Sequence, residues 1–322
     1  MKNNIKTRFA SAFEEDVYNG LTSCPKHLSS KYFYDKKGDK LFKDIMDLPE
    51  YYLTNCEYNI LKDNIQEIAD VFWGTNGFDL IELGAGDGKK TKLLLRYLSE
   101  NRIDFDYLPV DISQNALDEL QESLKKELPT VSVKLQQGTY FDTLARLSDY
   151  NSRKKVILVL GSNIGNLLHK DAIDFLIQIH EAMSPDDMLF MGFDQKKDPQ
   201  IILDAYNDST GVTAAFNKNL LERINTELGG NFNLDSFGHW ETYNPETGTA
   251  KSFLISSQKQ TVTIKDLELK VEFEAWESIH TEISQKYDDM IVEWLANQAD
   301  LKVTDSFTDE KDYYKNYIFR KK

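Results

Sequence analysis

The feature that most constrains this chain is a regular alternation of short apolar runs with amphipathic segments between residues 78 and 193. Phe78 to Leu83 (FDLIEL) is an apolar run ending in Gly84-Ala-Gly-Asp-Gly88, and Lys90 to Leu98 follows with helical character. Tyr107 to Ile112, Val131 to Leu135, Lys155 to Leu160 (KVILVL) and Met188 to Phe193 (MLFMGF) read as four further strands. Gln114 to Glu127, with Ser113 as its N-cap, and Asp171 to Met183 read as helices, the latter followed by a turn at Ser184-Pro-Asp-Asp187. A run apolar at every position suits a strand covered on both faces. Strand–helix alternation of this kind predicts an α/β fold on a parallel, doubly wound sheet.

The flanks behave differently. Glu57 to Phe72 places Ile60, Leu61, Ile65, Ile68 and Phe72 near a 3.6-residue spacing, which predicts one amphipathic helix with Thr54 or Asn55 as cap. After Asp194 the alternation stops. Residues 196–270 contain two helical stretches and then hairpin-like strands around Asn244-Pro-Glu-Thr-Gly248. Sheet-type sequence returns at Leu301 to Phe307 and Tyr313 to Phe319, joined by a turn at 309–312.

Charge narrows the partners. The formal net charge of −15 repels phosphate backbones and anionic lipid, so neither nucleic acid nor a membrane is expected as a partner. Cys24 and Cys56 form no CxxC pair and the five histidines are scattered, so neither a disulfide nor a metal site is expected. The opening MKNNIKTRFASAFEED lacks the apolar core of a signal peptide, and no apolar run reaches bilayer-spanning length. A cytoplasmic monomer is the expectation.

The chemistry starts at the glycine loop. Glycines let the backbone approach a ligand closely and tolerate positive φ, and open α/β sheets bind ligands at the carboxyl ends of their strands. The spacing is G-x-G-x-G, not the dinucleotide G-x-G-x-x-G, and a plain strand–helix turn would look the same. Asp111 ends the next strand, where a carboxylate can accept hydrogen bonds from both ribose hydroxyls, although a capping or surface Asp would also fit. Together the two features favour a nucleoside cofactor, and the missing GK[ST] ending argues against ATP. Gly161-Ser-Asn-Ile-Gly-Asn166 lies where a substrate would meet that cofactor, with a helix cap as the bland alternative for Asn166. His280, Glu282 and Ser284 alternate in IHTEIS and would share one face of a strand, or simply form a solvated face. The cluster Tyr32, Tyr34, Tyr51 and Tyr52 is more often core than catalytic.

The stretches SSKYFYDKKGDKLF, LPEYYLT, ELGAGDGKKTKLLL, YLPVDIS, VLGSNIGNL, AYNDSTGVTAAFNKNLL and TEISQKY decide between these readings. From about Pro25 to Phe319 the sequence resembles the histidine Nα-methyltransferases of ergothioneine biosynthesis. LPEYY, GVTAAFN and TEIS lie outside the cofactor half and are specific to that group.

The resemblance implies a Rossmann-like class I methyltransferase sheet with a second α+β substrate-recognition domain. Residues 76–194 would form the cofactor domain and 286–322 would complete it, while 1–75 and 195–285 would form the second domain. It implies S-adenosylmethionine as cofactor and transfer of three methyl groups to the α-amine of L-histidine, giving hercynine. Gly84, Gly86, Lys90, Asp111, Thr139 and Tyr140 would contact the cofactor. Tyr51, Asn166, Tyr206, Glu282 and Ser284 would contact the amino acid, with Asn166 and Tyr206 on its carboxylate and Glu282 and Ser284 on its imidazole. Tyr34 would lie near the amine, making Tyr34 and Asn166 the catalytic candidates.

Two departures accompany it. Gly138-Thr139-Tyr140 stands where the family has Gly-Asp-Phe, so the usual acidic contact to the adenine region is absent and the Thr139 hydroxyl is the candidate replacement. Ser252 stands where a methionine often packs on the imidazole, which would leave a roomier pocket. The same chemistry on another aromatic amino acid such as tryptophan, and a non-catalytic S-adenosylmethionine-binding protein, are the alternatives.

Overall fold

The computed structural model describes residues 9–74, 76–148 and 153–322. Residues 1–8, the start of the segment read as lacking a leader's apolar core, lie outside them. Along the chain come α1 (Ala12–Thr22), β1 (Lys26–His27), α2 (Lys36–Met46), α3 (Tyr52–Asp63), α4 (Ile65–Phe72) and β2 (Phe78–Leu83). Then follow α5 (Thr91–Glu100), β3 (Phe105–Asp111), α6 (Gln114–Glu127), β4 (Ser132–Val133), β5 (Gln136–Gln137), α7 (Tyr140–Ser148) and β6 (Lys154–Val159). Next are α8 (His169–Ala182), β7 (Met188–Asp194), α9 (Pro199–Tyr206), α10 (Val212–Glu227), β8 (Phe237–Asn244) and β9 (Thr249–Ser256). The last are β10 (Gln260–Ile264), β11 (Leu269–Phe273), β12 (Ser278–Gln285), α11 (Asp289–Gln298), β13 (Leu301–Thr308) and β14 (Tyr314–Lys321).

The chain divides into two compact units. One comprises Leu53–Lys196 and Gln285–Lys322, and the other the described residues up to Tyr52 with Lys197–Ser284. In the larger unit the strand order is β13-β14-β7-β6-β2-β3-β4, with β5 pairing β3 beyond β4. Strands β2, β3, β6 and β7 pair in parallel, while β14 runs antiparallel to β7 and β13 antiparallel to β14. This is the parallel α/β sheet that the alternation predicts, with the Rossmann-like order that the resemblance implies and an antiparallel pair at one edge. Every residue of β2 and β7 is buried, the acidic Asp79, Glu82 and Asp194 along with the apolar majority. The strand expected at 131–135 is two short pieces, β4 and β5, separated by Lys134 and Leu135. Lys134 gives its ammonium to Asp106 at 2.8 Å.

Two expectations about the 53–75 stretch are corrected. The second domain is expected to reach residue 75, but the described residues 53–74 belong to the unit of the large sheet. Phe72 meets the rings of Phe78 on β2 and Phe190 on β7, at centroid distances of 6.4 and 5.5 Å. The single helix expected from Glu57 is two, α3 and α4, broken at Asn64 (φ −111°, ψ 19°). The Asn64 side chain donates back to the Ile60 carbonyl at 2.9 Å, the local competition with backbone pairing that asparagine favours. Because α3 begins at Tyr52, Thr54 and Asn55 lie within it and do not cap it.

The second unit is α+β. A sheet of order β1-β12-β9-β8 stands beside the β10–β11 hairpin. Along β9, buried Ala250, Ser252, Leu254 and Ser256 alternate with half-buried Lys251, Phe253 and Ile255, the period-2 pattern of a strand covered mainly on one side. Helices α9 and α10 pack on β8 and β9, and α10 also packs on α2. The core joins Phe13, Phe33, Phe216, Leu220, Ile224, Phe237, Leu254 and Phe273.

Candidate active site

In the larger unit, the loop after β2 turns through Gly84, Gly86 and Gly88, with φ of 76°, 53° and 65°. A Cβ on Gly84 would come within 2.5 Å of the Tyr140 hydroxyl, whereas one on Gly86 would meet nothing within 4 Å. The loop is therefore packed by Tyr140 on one side and open at Gly86, as a backbone cradle for a ligand must be. Glu82, just before it, is buried and accepts from the Thr91 and Tyr107 hydroxyls, tying β2 to α5 and β3. Burial pushes its carboxyl up to about 7, against the opposing effect of those two hydrogen bonds.

Asp111 ends β3 half-buried, and its Oδ1 accepts the Ser113 amide at 2.8 Å. The second carboxylate oxygen can serve a ribose hydroxyl. Tyr140 lies close enough that burial first, and then the charges of Asp111 and Glu82, push its phenol up. Thr139 is exposed, and its hydroxyl donates to Asp142 at 2.6 Å while accepting the Asp142 amide at 3.3 Å. That hydroxyl thus caps α7 and brings a carboxylate, Asp142, to the position after the β5 turn.

A carboxylate that the sequence reading did not single out organises this unit. Glu57 of α3 is fully buried. One oxygen accepts the Gly161 amide at 2.7 Å and the Lys90 ammonium, and the other accepts Tyr314 Oη at 3.1 Å and Asn316 Nδ2 at 2.9 Å. Three segments distant in sequence converge on it: the head of α5, the turn after β6 and strand β14. A Cβ on Gly192 of β7 would stand 2.3 Å from both Glu57 Oε1 and the Tyr314 hydroxyl, so glycine there makes room for the carboxylate.

Beyond β6, Gly161 (φ 82°) and Ser162 (φ 56°) lead into a 3-10 turn, Asn163–Asn166. The turn is anchored by Tyr287 Oη donating to the Ile164 carbonyl at 3.0 Å and by Ser162 Oγ accepting the Asp194 amide at 3.2 Å. Asp194 is itself paired with Lys286 at 2.7 Å, both fully buried. Asn166 is exposed on this turn and does not cap α8, whose N-cap is Leu168.

The second unit carries the remaining candidates. The Tyr206 and Ser284 hydroxyls are hydrogen-bonded at 2.6 Å. The Tyr51 ring stands 6.3 Å from Tyr206 and 6.4 Å from Phe42, and Tyr34 stands 5.6 Å from Phe42. Tyr34, Tyr51, Tyr206 and Ser284 therefore form one connected series. Tyr34 is 45% exposed. Glu282 is half-buried on β12, two residues before Ser284. Ser252 is not beside an open space: it is 1% exposed and donates to Glu241 Oε2 at 2.6 Å. The expected roomier pocket is thus occupied by a second carboxylate that sequence reading missed.

Among the described residues no group of histidine, cysteine and carboxylate side chains could hold a metal, neither Cys24 nor Cys56 is in a disulfide, and no helix is long and apolar enough to cross a membrane.

Residues 13–321 match the model of a family described as histidine-specific methyltransferase, SAM-dependent. The chain belongs to that family. It is 35% identical over 302 residues to a histidine N-alpha-methyltransferase of Mycolicibacterium smegmatis, covering 93% of this chain and 92% of the relative. A histidine N-alpha-methyltransferase of Mycobacterium tuberculosis is 34% identical over 276 residues, covering 86% and 84% respectively. Ergothioneine biosynthesis protein 1 of Neurospora crassa is 30% identical over 319 residues, 96% of this chain but 34% of that longer protein.

In this SAM-dependent methyltransferase the glycine loop, Asp111 and the Tyr140 ring meet around the carboxyl ends of β2 and β3. They fit a nucleoside with a charged amino-acid tail: open backbone at Gly86, a carboxylate at Asp111, and a cation, Lys90, held by Glu57. Glu57 left a signal in the sequence. It falls on the stripe of Leu53, Cys56, Ile60 and Leu61, all buried, and a carboxylate on an apolar helix face demands partners.

Proposed function

We propose that this enzyme methylates the α-amine of L-histidine three times to give hercynine. The observation that carries the reading is that the family match runs through both units, including the Tyr51, Tyr206, Glu282 and Ser284 elements as well as the cofactor sheet. S-adenosylmethionine supplies a methyl group on a sulfonium, activated for in-line displacement.

The protein's share is to bind and aim. Asn166 and Tyr206 are assigned to the substrate carboxylate, and Glu282 with Ser284 to the imidazole. Holding both ends aims the amine without gripping it, which leaves space for the methyl groups already added. Alignment of this kind accounts for a large part of such accelerations. The amine reacts as the neutral base, and the ammonium that each of the first two transfers leaves releases its proton to solvent water, while the Tyr34 phenol oxygen can accept a hydrogen bond from the nitrogen. An imidazole N–H donates to the Glu282 carboxylate, and the Ser284 hydroxyl serves the other ring nitrogen as donor or acceptor.

The same reading makes the enzyme a cytoplasmic monomer acting on a free amino acid, with no nucleic-acid or membrane partner. The net charge of −15 supports the last two statements. Mass spectrometry of products from a panel of free amino acids tests the substrate. The expected result is successive addition of three methyl groups to histidine; faster methylation of tryptophan or tyrosine at equal subsaturating concentration would replace histidine as the substrate.

A further inference from the structure

Tyr206 closes helix α9, and its phenol reaches the Ser284 hydroxyl of β12 at 2.6 Å. The carbonyls of a helix's last turn have no donor within the helix. At Asn207 (φ −147°, ψ 59°) the helix stops, and the Tyr206 carbonyl meets His239 Nε2 at 2.9 Å. His239 stands on β8, opposite Leu254 of β9, on the face it shares with buried Phe237 and Glu241. The strand order here is β12-β9-β8, so β9 lies between the two anchors. Tyr206 thus ties together strands that are two spacings apart, about 10 Å. Its backbone is held from β8 and its hydroxyl from β12.

The chemistry of the ring fixes which way this bond runs. A carbonyl oxygen carries no proton, so Nε2 is the donor. Burial first holds the His239 imidazolium below its usual range, against the opposing effects of the Tyr206 carbonyl and the Asp208 charge. The neutral ring has a single proton, and the bond to Tyr206 keeps it on Nε2. Nδ1 is left as an acceptor, and it is buried without a partner among the described residues. A buried polar atom left unsatisfied is destabilising. What the fold gains against that cost is the donor at Nε2, aimed at the end of α9.

We propose that His239 is a positioning residue for the methyl transfer: by holding the Tyr206 carbonyl it fixes the point from which the phenol reaches Ser284 and the amino-acid substrate. It acts through Tyr206 and not on the substrate itself. Without the bond the phenol keeps only one of its two fixed ends, so the loss falls on amino-acid binding and leaves the cofactor residues of the larger unit alone. The proposal rests on the reading of Tyr206 and Ser284 as contacts to the amino acid.

The test is a double-mutant cycle in the full-length enzyme, read by steady-state kinetics and by calorimetric affinity for S-adenosylhomocysteine. His239→Leu keeps an apolar side chain on the strand but no donor. His239→Gln places an amide N–H at about the reach of Nε2. His239→Leu should raise the Michaelis constant for histidine about two- to tenfold, the scale of one neutral hydrogen bond, with kcat and cofactor affinity unchanged. His239→Gln should recover most of that loss. Tyr206→Phe has already lost the bond to Ser284, so adding His239→Leu to it should cost less than about a further twofold, because residues that act through one another are not additive. A merely structural histidine would multiply the two effects. Should His239→Leu fail to fold, His239→Asn, whose amide is one methylene too short, takes its place against His239→Gln. A wild-type Michaelis constant in the donor-less variant, no recovery in His239→Gln, or the full effect repeated in Tyr206→Phe overturns the proposal. Failure of the Tyr206 reading shows separately, as a wild-type Michaelis constant in Tyr206→Phe alone.

Discussion

Glu57 accepts the Gly161 backbone amide at 2.7 Å, joining helix α3 to the turn after β6 across more than a hundred residues of sequence. The same oxygen meets the Lys90 ammonium at the head of α5. One buried carboxylate thus sets two of the segments that border the cofactor loop.

Removing it should be costly. Glu57→Ala leaves a lysine, a backbone amide, a phenol and an amide side chain without their shared acceptor, and breaking a buried pair from one side costs about 3–5 kcal/mol. Glu57→Gln keeps an acceptor but not the charge, so it should fold better while binding S-adenosylmethionine more weakly. Urea unfolding and calorimetry measure the two effects. Wild-type stability in Glu57→Ala would remove the residue from this role.

Asp111→Ala should weaken S-adenosylmethionine binding by about 1.5–3 kcal/mol, the scale of hydrogen bonds to a charged group. The fold should survive, because Asp111 is half-buried at a strand end with one backbone partner, the Ser113 amide. Unchanged calorimetric affinity would exclude it from the cofactor site.

Asn166→Ala and Tyr206→Phe should each raise the Michaelis constant for histidine, and histamine, lacking the carboxylate, should be a poor substrate of the wild type. Tyr206→Phe also deletes the 2.6 Å bond to Ser284, so it should disturb ring recognition as well. Efficient methylation of histamine would contradict the carboxylate assignment.

Glu282→Ala should abolish most histidine activity and leave cofactor affinity intact. A site that pairs both ring nitrogens leaves buried polar groups unpaired when phenylalanine enters, so wild type should prefer histidine strongly over phenylalanine and leucine. Glu282→Ala should not gain tryptophan activity through space beside Ser252, because Glu241 occupies that side. Steady-state kinetics on the four amino acids decides the matter.

Glu82 predicts a pH dependence of stability. Its carboxyl titrates near 4.5 when unfolded and is raised to about 7 by burial in the fold. Between those values the folded state holds the extra proton, so this group's contribution is complete below about 4.5 and is lost as pH rises through 7, on the order of 3 kcal/mol in all. Unfolding free energies of wild type and the neutral mimic Glu82→Gln should lie close together at the low end of that window and separate as pH rises through 7, wild type becoming the less stable. Parallel profiles would show that Glu82 ionises in the fold as it does in water.

The sequence by itself determined the sheet. Strands β2, β6 and β7 are mostly apolar, and their alternation with amphipathic helices points to an α/β sheet covered on both faces. The glycine loop and Asp111 were legible for the same reason, since a strand–turn–helix places them at strand ends whatever surrounds them. The split of α3 from α4 is local, through the Asn64 bond to the Ile60 carbonyl, but tertiary structure alone decided the partners of Glu57 and the pairing of Ser252 with Glu241. Each depends on which distant segment arrives beside a residue. Glu57 is stabilised by Gly161, Tyr314 and Asn316, and Glu241 reaches Ser252 only through the register of β8 on β9. Local spacing constrains φ, ψ and the buried face of an element. It does not say which polar group will stand opposite a buried carboxylate, and that is settled only when the elements pack and every buried charge finds its donors.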